Sequence, residues 1–107
     1  MQLATMWQGR IEALDFAFQP VVNAHSGLTF GVEAYLRGVE KAGFSHIYGL
    51  LDTAFAEGVL AQVEHWIRRR TIAKFKEINH HDGLKLFLNM DLRSLETAAE
   101  ADRLARK

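Results

Sequence analysis

Glu33, Tyr35 and Arg37 stand at alternate positions of one stretch, and Asn89 closes another; these are the side chains whose types and spacing could do chemistry together. A strand sends successive side chains to opposite faces. Over residues 29–37, Phe30, Val32, Ala34 and Leu36 therefore share one face, and Thr29, Gly31, Glu33, Tyr35 and Arg37 share the other. A carboxylate and a guanidinium four residues apart on a strand face can address a cation and an anion side by side. They can equally form a solvated ion pair of little energetic weight. With no cysteine in the chain, disulfides and thiolate metal sites are excluded, and carboxylate, Asn and His remain as possible ligands. His80 and His81 are adjacent in a turn-like segment, a placement that seldom aims two rings at one ion, so they read as surface histidines. The run Arg68, Arg69, Arg70, Lys74 and Lys76 lacks interleaved aromatic residues and reads as the solvated side of a helix.

The elements that must position these groups follow from periodicity. Residues 1–14 space Leu3, Met6, Trp7, Ile11 and Leu14 by three and four, as a short amphipathic helix does. Residues 16–22 are aromatic and β-branched and read as a strand, with Pro20 placed at a strand end or bulge because it cannot donate to a ladder. Residues 23–27 carry turn chemistry in Asn23 and Gly27, which joins this strand to residues 29–37 as an antiparallel hairpin. After a loop over residues 38–45, Ile47, Leu50, Leu51, Ala54 and Phe55 predict a helix broken near Gly58. A second helix over residues 59–79 would bury Leu60, Val63, Ile67, Phe75 and Ile78. Residues 84–90 form a nearly continuous apolar run, the pattern of a parallel strand covered on both faces. Residues 91–107 return to helix formers, with Leu92, Leu95, Ala99 and Leu104 as a weak stripe. Strand, helices and a second buried strand predict a β-α-β crossover, whose ligand sites gather at the carboxyl ends of the strands. Glu33, Arg37 and Asn89 fall there.

A chain of 107 residues fits one small domain, and 49% hydrophobic content is ordinary for a globular fold. Lys+Arg and Asp+Glu both number 13, so zero formal charge gives no general attraction to DNA, RNA or anionic membrane. No run reaches the roughly 18 apolar residues of a membrane span, and the first ten residues lack the apolar core of a signal peptide. A soluble cytoplasmic protein is expected.

In order and spacing, Phe18-Gln19-Pro20-Val21-Val22, Gly27, Gly31-Val32-Glu33-Ala34-Tyr35-Leu36-Arg37, Ala56-Glu57-Gly58 with its long helix, and Leu88-Asn89-Met90 resemble the opening of the EAL domain, the bacterial cyclic-di-GMP phosphodiesterase family. The resemblance covers nearly the whole chain. It implies an α/β fold: the first three strands and intervening helices of a partial (β/α)8 TIM-type barrel, with β1 antiparallel to β2. It also implies hydrolysis of cyclic-di-GMP to the linear dinucleotide pGpG when the barrel is complete. By similarity, Glu33 and Asn89 would be ligands of Mg²⁺ or Mn²⁺, Arg37 would grip a substrate phosphate, and Gln19 would lie along the substrate groove. Tyr35 replaces the signature's leucine, which makes that groove bulkier and more polar.

A barrel of this kind needs about 250 residues. Residues 1–107 are thus expected to be a truncated, N-terminal portion of such a domain, without the family's later aspartates, lysine and final glutamate. The site for the cation would be incomplete, and this chain alone would not turn over cyclic-di-GMP. An open sheet edge further predicts a homo-oligomer or a complementing protein partner. The alternative function is a non-catalytic EAL-like module that binds cyclic-di-GMP or docks a protein.

Overall fold

A computed structural model describes residues 3–89 and Arg93. In chain order it contains α1 (Thr5–Glu12), β1 (Asp15–Val22), β2 (Thr29–Arg37), α2 (Ile47–Ala56), α3 (Leu60–Phe75), a 3₁₀ turn (His81–Gly83) and β3 (Lys85–Phe87). The helix expected over residues 91–107 lies outside the described residues, Arg93 excepted. The fold is mixed α/β: a sheet of order β1-β2-β3 in which β1 runs antiparallel and β3 parallel to β2. No described helix is long and apolar enough to cross a membrane.

The hairpin is closed by Asn23, whose side-chain oxygen accepts from the amides of His25 at 2.8 Å and Ser26 at 3.1 Å. Gly27 then takes φ 71°, a region costly for side chains with a Cβ. Pro20 pairs with Val32 within β1, one residue from the register shift at Val21/Val22. It is tolerated because β1 is an edge strand. At the far end of α2, Gly58 sits at φ 73° while the Val59 amide donates to the Ala54 carbonyl and that of Gly58 to Phe55. That pair of bonds satisfies carbonyls the helix leaves open and turns the chain directly into α3.

The core lies between the helices. Leu3, Trp7, Ile11 and Leu14 meet Ala42, Leu50, Ala54, Leu60 and Val63 in one buried cluster. The Trp7 indole, 1% exposed, donates to Glu57 Oε1 at 3.0 Å, so its burial leaves no polar atom unsatisfied. Helix α3 also meets the sheet, with the Phe75 and Phe18 rings 6.4 Å apart.

Three expectations are corrected. Helix α3 stops at Phe75 rather than Asn79, because the amides of Glu77 and Ile78 bond back only three residues and His80 adopts the left-handed conformation. The basic run is not a uniformly solvated face: Arg69 and Lys76 are exposed, but Arg70 donates to the carbonyls of Ile11 and Leu14, the latter at 3.2 Å, and Lys74 pairs with Asp15. These carbonyls lie at and just beyond the end of α1, where helix geometry leaves acceptors open. Last, β3 is not covered on both faces: Lys85 and Phe87 are exposed and Leu86 is half-buried. It is an edge strand, and no described strand pairs with its other side.

Candidate functional site

Strand β2 is the middle strand, and its residues divide as alternation requires. Val32 and Ala34 are buried on the helix side and Leu36 is half-buried, while Glu33 and Tyr35 are half-buried on the opposite face and Arg37 is exposed at its end. Phe30 departs from its face-mates. It lies next to the irregular end of the hairpin, is 39% exposed, and meets Phe87 edge-to-face at 6.0 Å.

Gly31 explains how β3 approaches. A Cβ there would come within 2.6 Å of the Lys85 carbonyl oxygen and 2.8 Å of the Phe87 ring, so only glycine admits this pairing. The register follows: Gly31 opposes Lys85, Val32 opposes Leu86, and Glu33 opposes Phe87, with Gln19 facing Glu33 from the other strand.

At the carboxyl end of this parallel pair lies a cavity of about 540 Å³ whose lining includes Tyr35, Arg37 and Asn89. Its helix side is formed in part by Tyr48 and Leu51 of α2 and by Glu64, Arg68 and Thr71 of α3. The five residues singled out from sequence therefore fall in two adjoining groups. Tyr35, Arg37 and Asn89 share the cavity; Glu33 and Gln19 form a cross-strand pair outside its lining.

Tyr35 joins the two groups. Interaction with the neighbouring Glu33 carboxylate, with burial, holds the phenol above its ordinary pKa; Arg37 acts in the opposite sense. The Arg37 guanidinium carbon lies 5.6 Å from the Tyr35 ring centroid, and its Nη1 donates to the Leu36 carbonyl at 3.0 Å. The result is a ladder along one strand face of carboxylate, phenol and guanidinium.

The helix wall contains residues whose role sequence reading missed. Glu64 and Thr71 are buried, and Arg68 Nη1 lies 3.8 Å from Glu64 Oε2. The signal was present: Leu60, Glu64, Ile67 and Thr71 recur at four, three and four, so the two polar residues lie in the stripe that also carries apolar positions. Thr71 satisfies its hydroxyl by donating to the Ile67 carbonyl at 2.7 Å. Tyr48 is 75% exposed, and nothing in its spacing distinguishes it from an ordinary surface tyrosine.

Among the described residues no three His, Asp or Glu side chains are grouped to hold a metal ion. Glu33 and Asn89 supply oxygen donors of the kind hard divalent cations prefer, but two protein ligands are far short of the roughly six such ions take. His81 is engaged in its own turn, its Nδ1 3.1 Å from the Ile78 carbonyl oxygen.

These features define a mixed α/β unit with a mainly apolar cavity at the carboxyl end of a parallel strand pair, floored by residues such as Phe16, Ala34, Leu36 and Ile67, whose rim carries the polar groups of Tyr35, Arg37 and Asn89. Comparison with protein-family models, with characterised proteins and with solved structures gives no match.

Proposed function

We propose that the chain is a segment of an EAL-type domain and that its polar rim takes cyclic-di-GMP. The observation that carries this reading is that Tyr35, Arg37 and Asn89 line one cavity at the strand ends, with Glu33 tied to it through Tyr35. The element order supports it as well: an antiparallel leading strand, then two parallel strands separated by two helices, is the order expected if the chain opens a (β/α)8 barrel with one added strand.

In this reading Arg37 is the phosphate group's partner, because a guanidinium can present two parallel donors to phosphate oxygens. Gln19 offers an amide to the polar edge of the ligand, and Asn89 and Glu33 offer oxygens to Mg²⁺ or Mn²⁺. Such a cation would acidify an attacking water and brace the leaving oxygen. Among the described residues Glu33 and Asn89 would be two of its ligands, and no three His, Asp or Glu side chains group to complete the site, so in this reading the chain binds the dinucleotide without hydrolysing it. The edge of β3 that pairs with no described strand, and the exposed Phe30 and Phe87 beside it, favour association with further strands, from a second copy or a complementing partner.

Incubated with cyclic-di-GMP and Mn²⁺, the purified chain is expected to retain intact dinucleotide and to release no pGpG. Sustained release of pGpG would refute the assignment of an incomplete catalytic set. Failure to retain the dinucleotide would refute the binding reading itself.

A further inference from the structure

Resting on that reading, we infer that the cavity is a pocket for a guanine base: Glu64 and Arg68, side by side on its α3 wall, read the Watson–Crick edge of the base while Arg37 at the rim meets the phosphate.

The α3 wall holds charged groups where the rest of the lining is mainly apolar. Glu64 is buried, yet it lines a cavity of about 540 Å³, a size usual for a small-molecule site. Taking a carboxylate out of water is costly, so one kept on the wall of such a cavity marks a place where a ligand's donors can meet it. Arg68 follows one helical turn later on the same face, its side chain 34% exposed against 9% for that of Glu64. Its Nη1 lies 3.8 Å from Glu64 Oε2, too far for a hydrogen bond between those two atoms. Acceptor and donor therefore stand beside each other, and both can address a third group. Phe16 and Tyr48 add aromatic rings to the same lining.

This arrangement matches the edge of one nucleobase. Guanine presents two adjacent donors, N1–H and the 2-amino group, and next to them an acceptor, O6. An ionised carboxylate only accepts, through two oxygens, and a guanidinium only donates. Glu64 can thus take both guanine donors in a bidentate contact while Arg68 donates to O6. Adenine reverses the pattern, with an acceptor at N1 and a donor at the 6-amino group, and would set a lone pair against the carboxylate. A site whose buried polar groups a wrong ligand leaves unpaired rejects that ligand far more strongly than an apolar slot can. The aromatic rings favour any base, because every base has a face to stack. Choice therefore rests with Glu64 and Arg68. Arg37 lines the same cavity at the exposed end of β2, so the base and the phosphate of one nucleotide fall within one site.

The test titrates wild type, Glu64→Gln and Arg68→Met with cyclic-di-GMP, with cyclic-di-IMP, which lacks only the 2-amino groups, and with cyclic-di-AMP. Wild type should bind the inosine ligand about tenfold more weakly than cyclic-di-GMP and the adenine ligand at least about a hundredfold more weakly, the scale of one and of several lost charge-assisted hydrogen bonds. Glu64→Gln keeps the shape but exchanges an acceptor for a donor; it should bind cyclic-di-GMP about tenfold more weakly and narrow the guanine-over-inosine preference to within about threefold. Arg68→Met should weaken both of those ligands by about three- to tenfold and leave their ratio unchanged, since both keep O6. Equal binding of the three ligands by wild type, or an unchanged guanine-over-inosine preference in Glu64→Gln that is folded by circular dichroism, overturns the inference and leaves the cyclic-di-GMP reading standing. Where Glu64→Gln does not fold, the wild-type series and Arg68→Met decide: full affinity in Arg68→Met, or loss of only one of the two ligands, overturns the inference. The mononucleotides 5′-GMP and 5′-IMP separate the two claims from the other side. A wild type that prefers 5′-GMP but binds no cyclic dinucleotide refutes the cyclic-di-GMP reading and retains the guanine pocket, whereas binding of no guanine ligand refutes both.

Discussion

The helical side of the molecule and the far edge of its sheet solve the problem of apolar surface in opposite ways. Around Trp7, three helices and the residue 38–45 loop close on a core in which the largest side chain is buried and its indole N–H is bonded to Glu57. At the edge of β3, Phe30 and Phe87 pair with each other but each keeps 39% of its surface exposed, and Leu88 keeps 37%. One region holds itself together, while the other presents an edge, paired with no described strand, beside aromatic rings. The closed core carries the fold, and the open face carries the strand that displays Glu33, Tyr35 and Arg37.

Breaking the closed region should have the largest effect. Trp7→Ala removes a fully buried aromatic ring and leaves Glu57 without its donor, and should cost about 3–5 kcal/mol in chemical denaturation. A smaller loss would mean that the helical core is less tightly packed than its burial indicates. Breaking the open region should cost less and stay local. Gly31→Val forces a side chain against the Lys85 carbonyl and the Phe87 ring, and should cost about 1–3 kcal/mol. Hydrogen exchange should then show β3 amides losing protection while those of α3 keep theirs; equal loss in both would contradict the separation.

The smallest effect sharpens the boundary between the two regions. Asp15, at the start of β1, is held below the ordinary carboxylate pKa, first by its hydrogen bond from Lys74 and then by that from the Phe16 amide. A depressed carboxylate stabilises the folded state above the unfolded pKa, and that contribution fades as pH falls through the lower folded value. Wild type should therefore lose stability from about pH 4 downward more steeply than Asp15→Asn. Parallel pH profiles for the two proteins would show that the Lys74 contact is too solvated to matter.

Much of the fold was legible because its signals are local. Residues 29–37 alternate cleanly, and β2 spans Thr29–Arg37 as that alternation predicts. Gly58 marked the end of α2 through the one backbone region that favours glycine. The failures share a different cause. An apolar run such as residues 84–90 reports affinity for cover, not whether cover is present, and β3 proved to be an exposed edge. The outward reading of Arg70 and Lys74 failed because their partners, Ile11, Leu14 and Asp15, are more than 50 residues away in sequence. For the candidate site, alternation placed Glu33, Tyr35 and Arg37 on one face, but the α2 and α3 wall with Tyr48 and buried Glu64 depends on how those helices pack and was not foreseen.

Calorimetric titration of cyclic-di-GMP into wild type and Arg37→Ala tests the central claim most directly. Wild type should give saturable heat, and Arg37→Ala, folded by circular dichroism, should bind at least about tenfold more weakly, as loss of a charge-assisted phosphate contact implies. No heat from wild type, or equal binding by Arg37→Ala, would contradict the placement of the dinucleotide at this rim.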